Sequence, residues 1–380
     1  MSPAPALFFY GTLRHRPLLD LVLGPAGASR LRLMPARLRD HAARWVAGEC
    51  FPMIGAEPGA EAEGVLAEGL WPEDLARIAF YEGGHLYAPL EVEVETAAGC
   101  APARAFFPEA GGWTAGAPFD LGHWEARWSA ITLHAAAEYM ASYGRLSGGE
   151  TARLFPRHRA RAWSRLIAEG TSAPDGGVRA GPGRAAVEVR RIRRRHEGFF
   201  ALDEVALSHP AFAGGRIDVV REVFVGNDAA LVLPFDPATG RVVLLEQFRA
   251  GPWRRGDARP WVLEPVAGLV DPGESPEDCA RREAVEEAGL TLRRLVPVPG
   301  GYASPGASTE FFHMFVGLCD LDDGHVGPGG LDAEGEDIRT HVLTLDDALV
   351  LAETGEASVV PLTTLLLWAA LNRARLAELA

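Results

Sequence analysis

The chain has 380 residues, enough for two or three domains of roughly 100–200 residues each, and its 48% hydrophobic content excludes a disordered protein. Its 37 basic and 51 acidic side chains give a formal charge of −14, which argues against a polyanionic partner such as bulk DNA or an anionic membrane. Every basic residue is an arginine, which excludes chemistry that needs a lysine amine.

The first half of the chain combines strand-like runs with helical patterns. Strands are predicted at 6–10, 90–95 and 103–107, followed by helices at about 119–143 and 149–168. The N-terminus lacks the basic and apolar regions of a signal peptide, so we expect none. Four scattered cysteines without a CxxC pair predict a reducing, cytoplasmic compartment.

A segment rich in glycine, proline and small polar residues, 170–184, predicts a linker near the middle of the chain. It separates a first domain at 1–169 from a second domain at 185–380. Strands mixed with helices on both sides, without an internal repeat, predict two unlike domains built from α/β or α+β layers.

The second half begins with strand-like alternation at 186–193. A hairpin follows, whose strands at 229–233 and 241–247 flank the turn sequence FDPATG. A short acidic helix is predicted to begin near Pro276, and a last helix runs from about 361 to 377.

Two arginine-rich runs need an interpretation. One lies at 190–195, and the other, at 153–165, interleaves arginines with Phe155 and Trp163. In a chain that uses arginine in place of lysine, both are typical of solvated faces, and nucleic-acid binding is the less favoured alternative. We therefore expect neither a nucleic-acid nor a membrane partner.

The most informative stretch is the acidic segment at 268–290. Ser275 followed by Pro276 and two acids is a helix start, and Gly289 is a helix end. Small apolar residues on one side of this helix suit close packing against a sheet, namely Cys279, Ala280 and Ala284.

Three glutamates of this helix share one face. Glu283, Glu286 and Glu287 follow one another at i, i+3 and i+4, and like charges so spaced cost a helix about 0.2–0.5 kcal/mol per pair. A hard divalent cation among them would offset that cost, because Mg²⁺ prefers carboxylate oxygens and water. The alternative, an acidic surface helix, does not explain the preceding glycine-containing loop.

The same stretch resembles the Nudix hydrolase box without a gap. The family's positions are matched by Gly268, Glu274, Arg282, Glu283, Glu286, Glu287, Gly289 and Leu290, with Ala284 where a bulkier aliphatic residue is usual. The resemblance implies a Nudix α/β/α sandwich with a mixed sheet for the second domain. It also implies that Glu274 and Arg282 form a structural ion pair.

The resemblance further implies a metal site. Glu283 and Glu287 would ligate Mg²⁺, with the carbonyl of Ala267 and the carboxylate of Glu336 as additional ligands. Two or three Mg²⁺ ions are expected, with Mn²⁺ as a substitute, and Glu286 lies beside them as a catalytic carboxylate.

Flanking motifs, from about 196 to the C-terminus, resemble the ADP-ribose and ADP-sugar pyrophosphatase subfamily. They lie at 198–203, 220–222, 233–237, 246–249, 302–306 and 334–337. The expected reaction is therefore hydrolysis of ADP-ribose to AMP and ribose 5-phosphate. Relatives of this kind are dimers, so a homodimer through the Nudix domain is expected.

The subfamily resemblance implies a set of substrate-binding residues. Phe199 and Phe200 could stack on adenine, although either ring could equally belong to an ordinary core. Arg221 and Arg249 can bind phosphate oxygens, and Glu222 would contact the adenine end. The pocket would also be lined by Leu269, Ser304, Pro305, Gly306 and Glu310.

The catalytic base implied by the subfamily is Glu334. It lies in a glycine-rich acidic loop, where closure could complete the site only when substrate is bound. The alternative is a solvated loop acid, because acidic residues crowd this loop.

The first domain resembles γ-glutamylcyclotransferase-like domains, which implies a small α+β barrel with helices. The resemblance is based on the FFYGTL motif and on the sequence Tyr81-Glu82-Gly83, which is followed by Tyr87. Glu82 would be the general acid/base that cyclises a γ-glutamyl amine, with ligand contacts from Tyr10, Gly11, Thr12 and Leu13. The alternative is a docking domain that has kept the fold without the chemistry.

Fusions of these two modules resemble ADP-ribose pyrophosphatases associated with tellurite resistance, although no residue of this chain shows tellurium chemistry. Three functions remain open on the sequence: a diphosphatase of ADP-ribose or another nucleoside diphosphate compound, an ADP-ribose sensor that does not cleave, and a γ-glutamyl-amine cyclotransferase in the first domain. The intact carboxylate set favours the diphosphatase.

Overall fold

The structure is a computed structural model that describes residues 5–171, 178, 181–321, 328–330 and 336–379. The chain divides into two compact units, Met1–Ser172 and Ala173–Ala380. Most of the predicted linker and the predicted base, Glu334, lie outside the described residues.

The first unit contains a closed five-stranded barrel, as predicted. Its strands are β1 (Leu7–Phe9), β2 (Arg32–Val46), β3 (Pro52–Glu68), β4 (Tyr87–Thr96) and β5 (Gly99–Pro108), and a short β6 (Ala115–Pro118) pairs with β2. The order is β3-β1-β5-β4-β2, and the β2–β3 hairpin closes the ring. The three predicted strands all belong to it, whereas the long β2–β3 hairpin was not predicted.

Helices cover one side of the barrel. They are α1 (Arg16–Arg30), α2 (Pro72–Gly83), α3 (Leu121–Ala141), α4 (Gly148–Arg153) and α5 (Phe155–Gly170). Buried residues such as Leu18, Ile78 and Tyr139 join them in one apolar core with the barrel. The single helix predicted at 149–168 is wrong. It is divided at Leu154, because Pro156 favours a helix start and disfavours a helix interior.

The second unit begins with a small antiparallel sheet. It consists of β7 (Glu188–Glu197), β8 (Ala201–Pro210) and β9 (Arg216–Val225). The hydrogen-bonded order is β7-β8-β9, and apolar side chains such as Val189, Ile192 and Val220 are more than half exposed.

The main sheet of the second unit is mixed. Its strands are β10 (Ala229–Asp236), β11 (Arg241–Phe248), β12 (Trp261–Glu264), β13 (Val266–Leu269), β14 (Arg294–Tyr302), β15 (Phe311–Leu318), β16 (Pro328–Gly329) and β17 (Ile338–Thr344). The order is β14-β15-β10-β11-β17-β16, with β12 on β11 and β13 on β10. The predicted hairpin is confirmed as β10–β11, and β10 runs parallel to β15.

Helices lie on both faces of this sheet, as predicted for a sandwich. They are α6 (Ala250–Arg255), α7 (Pro276–Ala288), α8 (Leu345–Thr354), α9 (Val360–Leu371) and α10 (Arg373–Glu378). The last three pack on one face through Leu345, Leu366 and Leu376, and α7 packs on β10 and β13. The predicted last helix is interrupted at Asn372. Among the described helices, none has the length and apolarity needed to cross a membrane.

Candidate active site

The helix α7 is built as the sequence predicts. The Ser275 hydroxyl caps its N-terminus by accepting the backbone N–H of Asp278 at 3.1 Å, and Gly289 ends it with a φ of 64°. Cys279 and Ala284 are fully buried against the sheet. This packing fixes the rotation of the helix and therefore the direction of its glutamates.

Gly268 is required by the closeness of β13 to α7. A Cβ atom at this position would lie 1.8 Å from Oε1 of Glu283. The absence of a side chain therefore leaves the space that the Glu283 carboxylate occupies, which gives a physical reason for a glycine at the start of the acidic segment.

Glu287 is the most deeply buried carboxylate of the site. It is 2% exposed, and its Oε2 accepts the backbone N–H of Ala267 at 2.9 Å. The pKa of Glu287 is raised to about 8, chiefly by burial and to a smaller extent by the nearby carboxylates of Glu283 and Glu336. Burial likewise raises the pKa of Glu283. The three carboxylates thus lie close enough to repel one another.

Arg282 binds three acidic side chains. It forms the predicted ion pair with Glu274 through contacts of 3.0 and 3.1 Å, and its Nη1 donates to Glu283 at 2.6 Å and to Glu286 at 2.8 Å. One guanidinium therefore braces the loop before α7 and also holds two carboxylates of the acidic face.

The donor set fits a hard divalent cation. The carboxylates of Glu283 and Glu336 lie near Glu287, which is bound to the backbone of Ala267, and all are oxygen donors of the kind that Mg²⁺ prefers. Within the described ranges, no three His, Cys, Asp or Glu side chains converge tightly enough to hold an ion as they stand. Of these carboxylates, Glu283 is held by Arg282, and it would have to exchange this partner for the metal.

Arg249 lies beside this carboxylate group. It follows β11, and its Nε donates to Oε2 of Glu264 at 2.7 Å. The positive charge of Arg249 partly offsets the rise in the pKa of Glu287, as expected for a guanidinium near the buried carboxylate. An anionic ligand at the site would therefore meet a cation among the acids.

The predicted aromatic pair lies at the turn between β7 and β8. Phe199 is 47% exposed and Phe200 38% exposed, with ring centroids 4.7 Å apart. Phe200 also contacts Phe224 of β9 at 4.7 Å. Neither phenylalanine is an ordinary core residue, because both side chains are partly exposed.

Phe224 was missed by the sequence analysis, although it connects two parts of the predicted pocket. Its N–H donates to the carbonyl of Ala307 at 2.7 Å, and its carbonyl accepts the N–H of Thr309 at 3.0 Å. The loop that carries Ser304, Pro305 and Gly306 is thereby tied to the strand beneath the aromatic pair. The only available signal was its position two residues after the 220–222 motif.

The remaining predicted residues are distributed around this loop and strand. Glu310 accepts the Ser308 hydroxyl at 3.1 Å, and the Leu269 carbonyl is 3.4 Å from Nη2 of Arg282. Arg221 and Glu222 lie exposed on β9, where the Arg221 guanidinium donates to the carbonyl of Val220 at 2.9 Å.

The first unit has its own cavity, of about 70 Å³. Its lining brings together all the residues predicted for that domain, namely Tyr10, Gly11, Thr12, Leu13 and Glu82. Burial raises the pKa of Glu82 to about 7. Among the described residues, Glu82 has no hydrogen-bonding or ionic partner for its carboxyl group.

Comparison with known proteins assigns both units. Residues 226–364 match the NUDIX domain family, and residues 7–126 match the gamma-glutamyl cyclotransferase, AIG2-like family. The chain is 42% identical to ADP-ribose pyrophosphatase of Escherichia coli K12 over 185 residues, which is 47% of this chain and 88% of that protein.

Two further relatives match a similar share of the chain. ADP-ribose pyrophosphatase of Haemophilus influenzae is 38% identical over 165 residues, 43% of this chain and 76% of that protein. GDP-mannose pyrophosphatase of Citrobacter koseri is 33% identical over 160 residues, 42% of this chain and 82% of that protein.

Proposed function

The chain belongs to the Nudix hydrolase family, with an AIG2-like γ-glutamyl cyclotransferase domain before the Nudix domain, and we propose that it hydrolyses ADP-ribose to AMP and ribose 5-phosphate with Mg²⁺. The observation that carries this proposal is the carboxylate face of α7, in which Gly268 leaves room for Glu283 and Glu287 is buried against Ala267. The names of two relatives support the choice of ADP-ribose.

The metal would be held by Glu283, Glu287, Glu336 and the carbonyl of Ala267. When bound, Mg²⁺ neutralises charge on a diphosphate and polarises its phosphoryl oxygens. The chain's own contribution is to hold these donors near one another: the Ala267 N–H holds Glu287, and Arg282 holds Glu283 until the metal replaces it. Glu286, also held by Arg282, is the remaining carboxylate of the catalytic face.

The substrate would lie between the carboxylates and the aromatic pair. Arg249 and Arg221 would bind the diphosphate and ribose phosphate oxygens, and Phe199 and Phe200 would stack on adenine. Glu222 would contact the adenine end, and the loop at 304–310 together with Leu269 would complete the pocket. The exposure of both phenylalanines supports this role.

Glu334 would act as the general base. It accepts a proton from the attacking water, whose oxygen forms a bond to phosphorus while the diphosphate bridge bond breaks. One product is AMP and the other is ribose 5-phosphate, with no covalent intermediate. Positioning and charge stabilisation carry most of the rate in such a reaction.

The test is release of AMP from ADP-ribose by the full chain, with GDP-mannose as the competing substrate. Glu334→Gln should lower kcat by about 10²–10⁴-fold with a small effect on KM. Glu336→Gln, the matched neighbour, should raise the Mg²⁺ concentration needed for activity. If Glu336→Gln alone lowers kcat at saturating Mg²⁺, the base is Glu336.

A sensor that binds ADP-ribose without cleaving it is the competing reading of the same site. The complete set of carboxylates favours hydrolysis, because binding alone does not require the charge density at Glu283, Glu287 and Glu336. Tight binding of ADP-ribose without release of AMP at saturating Mg²⁺ would favour the sensor.

We also propose that the chain forms a homodimer through its Nudix domain. The small sheet exposes Val189, Ile192 and Val220 by 56–60%, a cost that a partner surface would remove. Light scattering of the full chain tests it. All four cysteines are free, in keeping with a reducing compartment, and we propose a cytoplasmic location.

A second activity is favoured by the unpartnered Glu82. In the first unit, this carboxyl could accept a proton from the α-amine of a γ-glutamyl amine as that nitrogen attacks the γ-carbonyl carbon. The amide bond then breaks, the proton passes to the leaving amine, and 5-oxoproline is formed. Release of 5-oxoproline, abolished by Glu82→Gln, is the expected result. Its absence would leave a binding or docking domain.

A further inference from the structure

His85 is a cavity residue that the sequence motifs of the first unit do not assign. It lies two residues after α2, and it lines the same cavity as Glu82. The imidazole has no hydrogen bond or ion pair among the described residues. Buried polar groups normally have hydrogen-bonding partners. Two cavity side chains that lack such partners in the protein can bind a ligand that carries hydrogen-bond donors.

The backbone fixes His85 relative to Glu82. The His85 N–H donates to the carbonyl of Glu82 at 3.0 Å, and the His85 carbonyl accepts the indole N–H of Trp113 at 2.9 Å. The two side chains therefore reach the cavity from one short segment whose backbone is held by hydrogen bonds.

Aromatic rings hold the imidazole in place. It stacks on Tyr139 with ring centroids 5.6 Å apart and an interplanar angle of 28°, and it meets Phe155 edge-on at 4.7 Å. Burial and the neighbouring His158 lower the pKa of His85 to about 4. The ring is therefore neutral near pH 7, and one of its nitrogens is a hydrogen-bond acceptor.

The cavity favours a cation over an anion. No arginine belongs to its lining within the described part of the chain, whereas the aromatic residues Tyr81, Tyr87 and Phe106 do. The hydroxyl groups of Tyr10 and Tyr87 already donate to the carbonyls of Phe106 and Pro52 at 2.7 and 3.0 Å. Aromatic faces attract an ammonium group, and a neutral imidazole does not repel it.

We infer that Glu82 and His85 together form an ammonium-binding subsite, in which His85 is the second acceptor for the amine that Glu82 binds. The ligand class is a small molecule with a primary ammonium group. This inference rests on the second proposed activity, because it takes the cavity as the place where a γ-glutamyl amine binds. It adds a residue that orients the amine toward the carbonyl carbon.

The experiment compares two probes on the full chain by calorimetric titration. L-Glutamine is a γ-amide with an α-ammonium group, and 4-carbamoylbutanoate is the same molecule without the amine. We expect the wild-type chain to bind L-glutamine at least tenfold more tightly. Equal affinities, or no binding of either probe, would overturn the subsite.

His85→Phe is the informative variant, because it keeps a ring against Tyr139 and Phe155 and removes both nitrogens. One hydrogen bond to a charged group predicts about a tenfold loss of affinity for L-glutamine and no change for 4-carbamoylbutanoate. His41→Phe, outside the cavity lining, should change neither. An equal loss for both probes, or no loss, would overturn the role of His85.

A second measurement does not depend on the folding of the variant. In the wild-type chain labelled with ¹⁵N-histidine, the ring nitrogen signals of His85 should shift with L-glutamine and stay in place with 4-carbamoylbutanoate. Unchanged signals with L-glutamine would overturn the contact. Amine binding without 5-oxoproline release would retain the subsite and reject the cyclotransferase activity, so the two failures are distinguishable.

Discussion

Gly268 is the residue whose replacement tests the carboxylate face most directly. In Gly268→Ala, the added Cβ would lie 1.8 Å from Glu283 Oε1, so Glu283 must leave its position. We expect AMP release to fall by about 10²-fold or more. The melting temperature should change little, because only a side chain is displaced.

The matched control is Gly251→Ala, where nothing lies within 4 Å of an added Cβ. It should retain the wild-type rate. If Gly268→Ala keeps more than half of the activity, the position of Glu283 does not matter for hydrolysis.

Glu287→Gln removes the negative charge at the centre of the site and keeps the shape of the side chain. The amide oxygen can still accept the Ala267 N–H, so the fold should melt at or above the wild-type temperature without metal. Hydrolysis of ADP-ribose should be lost, because a buried carboxylate oxygen for the metal is removed. Most of the activity remaining at saturating Mg²⁺ would contradict the ligand assignment.

Glu82 makes the stability of the first unit depend on pH. The pKa of Glu82 is raised from 4.5, its value in an unfolded chain, to about 7 in the folded chain. Below pH 4.5 the carboxyl is neutral in both states and does not oppose folding. The free energy of unfolding then falls as the pH rises from 4.5 through 7. At about 1.4 kcal/mol per pH unit, the loss reaches about 3 kcal/mol.

Glu82→Gln should therefore stabilise the first unit at pH 8 and have little effect at pH 4. Thermal unfolding of the full chain at several pH values, followed by tryptophan fluorescence, provides the measurement, because Trp124 lies in the core of this unit. A difference between the two proteins that does not vary with pH would show that the Glu82 carboxyl titrates normally.

At the scale of elements, Phe224 connects the small sheet with the loop after β14. Phe224→Ala removes the ring beneath Phe200, while the backbone bonds to Ala307 and Thr309 lose a packed neighbour. We expect KM for ADP-ribose to rise by about tenfold, with a smaller change in kcat, because binding and not bond cleavage is disturbed. Steady-state kinetics provide the measurement.

Phe212→Ala is the control for this variant. Phe212 lies in the turn between β8 and β9 of the same sheet and is 91% exposed. Its removal should leave KM unchanged. A similar rise of KM in both variants would indicate general loosening of the sheet.

The elements also show how far sequence reasoning reaches. The helix α7 was predictable in full, because its cap, its small buried side and its charged side are local features. The hairpin of β2 and β3 was not, since 52–68 is rich in glycine, alanine and glutamate and its strand conformation depends on pairing around the barrel. Single helices were predicted at 149–168 and 361–377, whereas the structure has a break before Pro156 in the first and at Asn372 in the second.

In the candidate site, too, features local to one helix were predictable and contacts between distant residues were not. Glu283, Glu286 and Glu287 lie on α7 at i, i+3 and i+4, so their common face was predictable from the spacing. Phe224 and His85 were not, because each acts through neighbours that are distant in sequence, such as Ala307 for Phe224 and Tyr139 for His85. A single sequence does not contain those contacts.

For the whole molecule, the decisive question is whether the two units function independently. The arginine run at the start of the second unit finds its partners within the small sheet. Arg190 pairs with Asp218 at 2.7 Å, Arg191 with Glu204 at 3.0 Å and Arg194 with Asp203 at 2.6 Å. These three charges are therefore paired without the first unit, and the pair of Arg190 and Asp218, whose side chains are both more than half exposed, contributes about 0–1 kcal/mol.

A chain that begins at Ala185 keeps β7 complete, so we expect it to retain Mg²⁺-dependent hydrolysis of ADP-ribose with kcat and KM within about twofold of the full chain. Glu82→Gln in the full chain is the matched control, because it changes the chemistry of the first unit and removes no residues. It too should leave ADP-ribose hydrolysis unchanged. If the shortened chain is folded but its KM rises sharply while Glu82→Gln has no effect, then the first unit supports the aromatic pair at Phe199 and Phe200 physically. In that case its presence, and not its own chemistry, is needed for binding the nucleotide.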